Sequence, residues 1–476
     1  MMGNYTNKRG IVCSLILALS LAVTACGDFA VSSNLIQETK DTADHTNDQQ
    51  TFSDNNDSYG KILASYGIAI PQSSPSIYVD EAGYVVGREK KAVFAGKRHG
   101  KTFDVVRSPG GEVVYTGTIT AGTQDEMTGL TFSTGDFTVV DEPGTYYIRT
   151  DIVGESYPFT IAEDSYERLF LNLLTELSDS GFQETPEGVC DVCFGMHAVM
   201  HALQCNGSLF EAAYAQLPEN GQDKQLVAQL LYMAKWLMSQ QQDDGSLYGD
   251  CEATAAFCGI MAMSRDHFGK YEASVGKEYM QAARKAWKWL EQQKYDTSVT
   301  KSARFYAAAQ LFRTSNDAAY KKIAEDYLRE KKENYSEEPF VFYGVLAYIS
   351  AEKGTDRDLC TAVMKDMVDR TENICKEVKN DDLFGTGTRT GESNMANMLH
   401  LSFVNYLTPS KEYTVIIENT IKYMGGLNES GICYMGAAGK WNSAAAVDGR
   451  TFEWKGIMLL GISDMLRNFN EADGSN

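Results

Sequence analysis

Residues 76–162 alternate apolar and polar side chains with a period of two. Stretches such as "KTFDVVRSPGGEVVYTGTI" and "GDFTVVDEPGTYYIRT" are rich in β-branched and aromatic residues and are broken by the turn-forming sequences "SPGG" and "EPGTY". Successive side chains of a strand point to opposite faces, so this alternation is typical of strands with one buried face. The pattern predicts an antiparallel β-sandwich of fewer than about a hundred residues.

From about residue 164 the apolar positions recur every three or four residues. "SYERLFLNLLTEL", "DKQLVAQLLYMAKWLMSQQ" and "VGKEYMQAARKAWKWLEQQ" are three of these stretches, and others follow as far as "EWKGIMLLGISDMLRNF". This spacing places the apolar side chains on one face of an α-helix. We predict about a dozen helices, joined mostly by short loops, as pairs that close into a toroid or stack as a solenoid.

The first 75 residues differ from the rest of the chain in two ways. "NKRGIVCSLILALSLAVTAC" combines two cations with an apolar run that is too short for a stable membrane span, which is typical of a secretory signal in residues 1–25. Residues 26–75 are polar, rich in Asn, Asp, Gln and Thr, and without periodicity. Because such a segment buries too little apolar surface to fold, we predict a disordered tether.

The signal ends in "VTAC", which resembles the lipobox of bacterial lipoproteins. The resemblance implies that Cys26 is lipidated and becomes the mature N-terminus. The exported protein would then be anchored to the membrane at the cell surface without spanning it. The alternative is an ordinary cleaved signal peptide in which Cys26 has no special role.

Charge and cysteine usage narrow the possible partners. The 476-residue chain carries a formal net charge of −21, which disfavours nucleic acid and anionic lipid as ligands. The chain has ten Cys and six His, and the cysteines are spaced too unevenly to indicate a disulfide framework. The stretch "VCDVCFGMHAVMHALQC", residues 189–205, concentrates several of them and is therefore a candidate functional site.

Several stretches follow one another in an order that a known family shares. They are "IYVDEAGYVVGREKKAVFAG", "AKWLMSQQQDDGSLYG", "RFYAAAQLFRT", "ESNMANMLHLSFVNYL" and "YMGGLNESGICYMGAAG". In this order they resemble glycoside hydrolase family 9, the cellulase family, with its N-terminal immunoglobulin-like module. The resemblance implies an immunoglobulin-like β-sandwich at residues 76–162, an all-α (α/α)6 barrel at residues 163–470, and a polysaccharide partner of the β-1,4-glucan class.

The same resemblance places the family's catalytic positions on side chains of the wrong type. The two Asp residues that hold and activate the attacking water fall on Ala198 and His201, and the catalytic Glu falls on Gly449. Inverting hydrolysis needs one carboxyl to protonate the leaving oxygen and one carboxylate to activate water. His201 as a base, with Asp448 or Glu453 as an acid, are the remaining catalytic candidates.

The Cys- and His-rich stretch has two further interpretations. If a helix begins near Gly195, His197 and His201 lie on one of its faces. Cys190 and Cys193 would come just before that helix, and the four side chains would suit a tetrahedral zinc site. Zinc is the one cofactor that the sequence suggests. Alternatively, these thiols and imidazoles simply pack in the protein interior.

Aromatic residues outside the helices are candidates for contact with sugar rings. Trp441, Tyr434 and Tyr248 fall in predicted loops, and Asp191 matches the family's first Asp in its catalytic stretch. Two functions follow. One is a surface-anchored family 9 protein that acts on polysaccharide, an endoglucanase-type glycosidase if it is active. The other is a catalytically inactive lipoprotein that binds glycan or takes part in surface assembly.

Overall fold

The computed structural model describes most of the chain from Ser76 to Asp473. The described residues are 76–96, 99–124, 130–179, 182, 184–216, 222–269, 273–336, 338–380, 385–387, 390–436, 442 and 451–473. The predicted signal, the tether and Cys26 lie outside them, and so do Trp441, Asp448 and Gly449. No helix within the described ranges is long and apolar enough to cross a membrane.

Strands occupy residues 77–162, where the alternating pattern predicts them. Their bounds are β1 Ile77–Tyr78, β2 Tyr84–Val85, β3 Lys91–Ala95, β4 Thr102–Ser108, β5 Glu112–Gln124, β6 Thr131–Asp136, β7 Gly144–Thr150, β8 Gly154–Glu155 and β9 Phe159–Ala162.

The long strand β5 joins the two halves of the sandwich. Its first part pairs with β4, which continues through β7 and β9 to β2, and its last part pairs with β6, which continues through β3 to β1. The pairings are antiparallel as predicted, except that β2 runs parallel to β9. Two glycines make room for the buried ring of Phe103, because a Cβ at Gly117 or Gly135 would lie 2.4 Å from it. The packing of Phe103 in the sandwich core therefore requires glycine on both β5 and β6.

Helices follow in residues 165–473. Among the described residues the α-helices are α1 Ser165–Asp179, α2 Val189–Cys205, α3 Gly207–Gln216, α4 Gln222–Ser239, α5 Cys251–Phe268, α6 Ala273–Leu290, α7 Ser298–Ser315, α8 Ala318–Lys331, α9 Pro339–Ile349, α10 Arg357–Asn380, α11 Gly391–Leu407, α12 Lys411–Met424 and α13 Thr451–Asp473.

The chain divides into two compact units. One unit contains Glu184–Gln216 and Leu230–Val368, and in it α5 packs against α2, α6 and α7. Asp250 caps α5 by accepting a hydrogen bond from the Ala253 N–H, which would otherwise lack a helical partner. Gly259 lets α5 approach α7, since a Cβ there would lie 2.2 Å from the ring of Tyr306. This unit positions α2.

The second unit contains the sandwich, the start of α4 and the described residues from Asp369 onward. In this unit α13 packs against α1, α11 and α12, and α1 contacts strands β2 and β9. The hydroxyl of Ser165, at the start of α1, donates to the carbonyl of Tyr84 over 2.8 Å. The sandwich and these helices therefore share one packed body.

Candidate functional site

Helix α2 begins at Val189, so the prediction of a helix start near Gly195 is wrong. A 3₁₀ turn over Pro186–Gly188 leads directly into the helix, and the side chain of Thr185 accepts a hydrogen bond from the Gly188 N–H. Proline in a first helical position supplies a φ angle already suited to a helix. Gly195 is instead buried in the helix interior.

The earlier helix start separates the four predicted zinc ligands. Cys190 and Cys193 lie on α2 with His197 and His201. At 1.5 Å of rise per residue, Cys190 and His201 are roughly 16 Å apart along the helix axis. Zinc ligands lie only about 2.0–2.3 Å from the metal, so these side chains do not converge on one ion.

The wider structure agrees with this result. No group of three or more His, Cys, Asp or Glu side chains suited to a metal ion occurs in the described part of the chain. Cys193 and His197 are buried, as the packing interpretation expects. Burial is also the main reason why the pKa of the Cys193 thiol lies well above its ordinary value.

The two positions that the family resemblance assigns to carboxylates are uncharged at neutral pH. Ala198 is fully buried. Nε2 of His201 lies 3.6 Å from Sγ of Cys205. Burial, together with the positive charge of Arg313, lowers the pKa of His201 to about 4. The imidazole is therefore neutral at pH 7 and a much weaker base than an ordinary histidine, which titrates near 6.5.

The other histidine of α2, His197, contacts the side-chain amide of Gln310 on α7. The side-chain nitrogen of Gln310 donates to Nε2 of His197 over 2.9 Å, and the His197 ring packs against Tyr343 with 4.1 Å between ring centroids. Nδ1 of His197 and Oε1 of Gln310 have no hydrogen-bond partner among the described residues. Burial lowers the pKa of His197 well below its usual value. This pair therefore contributes hydrogen-bonding groups without charge.

Gln310 was not among the residues predicted for the site. The available signal was its place in "RFYAAAQLFRT", since the family resemblance implies a Glu at this position. Gln310 is fully buried on α7, and its side-chain amide forms a hydrogen bond with His197 on α2. The side chain at this position therefore contributes an uncharged amide, and not a carboxylate, beside α2.

Asp191 is the acidic residue of the first turn of α2. Its carboxyl group is buried at the positive end of the helix dipole, where a negative charge is favoured. Its charge, after burial and the neighbouring Cys190, helps to raise the pKa of Cys193. Asp191, which the family resemblance matches to the first Asp of the family's catalytic stretch, thus lies in the first turn of α2.

Glu453, the described candidate for the acid, lies in the first turn of α13. The residue is only 1 % exposed, so its carboxyl group does not open to solvent. The next two residues are also buried, and Lys455 donates to Glu176 of α1 over 2.8 Å. A general acid must come within hydrogen-bonding reach of the leaving oxygen. The burial of Glu453 does not favour that role, and Asp448 stays a prediction.

Tyr434 lies in a loop that is organised by Asn428. The Asn428 amide donates to the carbonyls of Tyr423 and Ile432 over 2.8 and 2.7 Å, and its oxygen accepts from two backbone N–H groups of the loop. The Tyr434 ring is half-buried, and its centroid lies 6.0 Å from the ring of Trp454 on α13. A supported ring of this kind can stack on a sugar.

Tyr248 lies in the loop between α4 and α5. Its side chain is 37 % exposed, and its hydroxyl donates to Oε1 of Gln240 over 2.7 Å. Its φ of 56° falls in the left-handed region, which bulky residues rarely adopt. The loop therefore holds an aromatic ring at the surface in a fixed orientation.

Comparison with known proteins assigns both parts of the chain. The family model described as cellulase N-terminal ig-like domain matches residues 72–155, and the model for glycosyl hydrolase family 9 matches residues 193–446. Endoglucanase D of Acetivibrio thermocellus is 22% identical over 509 residues, which cover 85% of this chain and 80% of the relative. A cellodextrinase of Butyrivibrio fibrisolvens is 23% identical over 472 residues, covering 76% of this chain and 85% of the relative.

Solved structures share the fold. A metagenome-derived glycoside hydrolase family 9 endoglucanase superposes with a TM-score of 0.63 at 16% identity, covering 82% of this chain and 98% of its own. A family 9 protein of Bacteroides ovatus gives a TM-score of 0.62 at 14% identity, with coverages of 82% and 99%. They confirm the predicted fold, an immunoglobulin-like region followed by an (α/α)6 barrel. The chain belongs to glycosyl hydrolase family 9.

Proposed function

We propose that this protein binds β-1,4-linked glucan and hydrolyses it far more slowly than a family member with intact catalytic carboxylates. The observation that carries the proposal is that neither Ala198 nor His201 on α2 provides a negatively charged base. Ala198 supplies no ionisable group, and the pKa of His201, lowered to about 4, leaves a weak base. Membership of family 9 implies a polysaccharide as the ligand.

The chemistry of inversion explains why these positions matter. A carboxylate must take a proton from water while a carboxyl group protonates the leaving oxygen. Losing a general acid or base typically reduces the rate by about 10²–10⁴-fold. Glycan binding needs neither group, because it depends on ring contacts and on hydrogen bonds to hydroxyls. The rings of Tyr248 and Tyr434 suit that role.

We further propose that the protein acts at the cell surface as a lipoprotein. The support is the sequence alone: "VTAC" places Cys26 at the end of an apolar signal, and the polar residues after it would serve as a tether. A lipid chain at Cys26 would hold the folded part near the membrane without a spanning helix. When both are expressed in a bacterial host, the unmodified protein should be found in the membrane fraction and a Cys26→Ser variant should not.

One experiment separates binding from hydrolysis. Purified protein is incubated with cello-oligosaccharides and soluble β-1,4-glucan, and reducing ends and binding heat are measured on the same samples. We expect saturable binding with reducing-end release near the background. Robust turnover by the unmodified protein, lost in Asp448→Ala or Glu453→Ala, would show an active endoglucanase with a displaced acid. No binding to any β-glucan would contradict the proposed function.

A further inference from the structure

Positive charge is concentrated on α6 and on the segment that joins it to α7, in a chain that is strongly acidic overall. Residues 277–304 contain seven Lys and Arg against three Asp and Glu, whereas the whole chain carries a formal net charge of −21. Arg284, Lys288 and Lys294 of this stretch are exposed. A local reversal of charge of this kind favours an anionic ligand at that surface.

Two other cations of the stretch are bound to groups of the protein itself. Lys301 pairs with Glu330 over 3.4 Å, and Lys285 donates to the carbonyl of Gln242 over 2.8 Å. The three exposed cations named above form no ion pair with any residue that the structure describes. Their charges are therefore available to a ligand.

Arg304 on α7 connects a second helix to this surface. Its guanidinium carbon lies 4.6 Å from the centre of the Tyr295 ring and 6.0 Å from that of the Trp287 ring on α6. Nε of Arg304 is buried and has no hydrogen-bond partner among the described residues, and none of their carboxylates forms an ion pair with this guanidinium. The two rings thus orient a cation that has no counter-ion in the described part of the chain.

The four cations lie close together. Arg284 and Lys288 are four residues apart on α6, so they are neighbours on one helix face, about 6 Å apart along the axis. Lys294 directly precedes Tyr295, the ring over which Arg304 lies. These three exposed cations and Arg304 form what we call the basic patch.

The basic patch stays positive although two acids are near it. Burial raises the pKa of Tyr295 to about 12, the charge of Arg304 opposes this shift and the charge of Glu291 adds to it, so both charges act at the ring. Asp296 follows Tyr295 in the chain. Four cations therefore face two acids. Charges are screened over about 8 Å at physiological ionic strength, so a ligand at the patch senses these groups more than the distant acids of the chain.

The chemistry of the basic patch fits a uronic acid. A guanidinium binds a carboxylate through two parallel N–H bonds, and an oriented guanidinium loses little freedom when it does so. The ring of Tyr295 is half-buried, and the apolar face of a pyranose packs against such a ring. An acidic peptide or a polyphosphate would supply the charge without the sugar face.

We propose that Arg284, Lys288, Lys294 and Arg304, with the ring of Tyr295, form a binding site for a uronic-acid polysaccharide. The site uses no residue of α2, and binding there requires no hydrolysis. It gives the protein an acidic polysaccharide ligand in addition to the neutral glucan of the proposed function, and neither ligand depends on the other.

Calorimetry of the full chain with hexagalacturonate tests the site. Arg284→Gln with Lys288→Gln should weaken binding by about 3- to 20-fold, because each exposed charge pair contributes up to about 5-fold. Arg304→Lys keeps the charge but loses the planar fork, so it should also weaken binding. Lys301→Gln with Lys322→Gln is the matched control: it removes two cations that already pair with acids and should leave the affinity nearly unchanged.

Three results would overturn the site. They are no binding of hexagalacturonate at low salt, equal binding by the folded Arg284→Gln/Lys288→Gln variant, and equally tight binding of maltohexaose or of a polyglutamate of the same charge. The last result would show that the sugar or the carboxylate is not what is recognised. Thermal melting shows that each variant is folded. Cello-oligosaccharide binding is measured on the same variants and should not change, so a failure of the proposed function is seen separately.

Discussion

At position 201 the sequence supplies an imidazole whose ordinary pKa would suit a base. The folded chain changes that property, because burial and the positive charge of Arg313 lower the pKa of His201 to about 4. The negative charge of Asp266 in turn opposes the lowering of the Arg313 pKa by burial. Burial first, and the charge of Arg313 on α7 second, thus decide what this imidazole can do.

Restoring the two Asp positions without the catalytic Glu should not restore hydrolysis. We expect Ala198→Asp with His201→Asp to leave reducing-end release near the background, because the position that the family resemblance assigns to the acid would still be Gly449. Adding Gly449→Glu should raise the rate, since both carboxyl groups are needed in one step. Steady-state kinetics on soluble β-1,4-glucan measure this. Ala198→Asn with His201→Asn is the uncharged control, and full activity of the double Asp variant would contradict the expectation.

Helix α2 illustrates the next scale. The Cys- and His-rich stretch has ligands of the right types for zinc, and a helix that began at Gly195 would leave Cys190 and Cys193 in a preceding loop. The 3₁₀ turn instead feeds directly into α2, so all of these residues follow one helical path. A continuous helix spreads these four positions over about three turns, so the four side chains cannot all surround one ion.

The protein should therefore not depend on zinc at α2. We expect Cys190→Ser with Cys193→Ser to leave the zinc content unchanged, and we expect chelation not to lower the melting temperature of the unmodified protein. Elemental analysis and thermal melting check both points. Cys360→Ser, on α10, is a matched thiol control. One equivalent of zinc that is lost only in the double variant would restore the metal-site hypothesis.

At the scale of the whole chain, the sandwich meets α12 through a buried carboxyl group. Asp80 is fully buried, its Oδ1 accepts from the Ala82 N–H over 2.9 Å, and its Oδ2 has no hydrogen-bond partner among the described residues. Gly425 leaves space for it, since a Cβ there would lie 2.0 Å from Oδ1. Burial raises the pKa of Asp80 to about 7. Burial and the charge of Asp80 raise that of Glu81 to about 8.

These raised pKa values make the fold less stable as the pH rises. The folded pKa of Asp80 exceeds the ordinary value of 3.8, so the folded chain binds the proton more tightly than the unfolded chain does. The stabilisation is complete below about pH 4 and is lost as the pH rises through about 7 for Asp80 and about 8 for Glu81. We expect the melting temperature to fall between pH 5 and pH 9.

Asp80→Asn should flatten this pH dependence, because the amide cannot ionise. Asp141→Asn is the control: that carboxyl group is exposed, and its hydrogen bond from Lys90 lowers its pKa, so its contribution to stability runs in the opposite direction. Melting curves at intervals of pH measure the effect. An unchanged slope in Asp80→Asn would assign the pH dependence to other groups.

The sequence by itself determined the order and type of the elements, since apolar spacing is a local property that burial of one face enforces. It also determined the family, and it predicts that catalytic positions lack carboxylates, because the family resemblance aligns those positions with Ala198 and Gly449. Only the tertiary structure decided the start of α2, the weak basicity of His201, the partnership of His197 with Gln310, and the position of Arg304 over Tyr295. The reason is physical: the pKa, the exposure and the convergence of side chains depend on neighbours distant in sequence, which local periodicity does not specify.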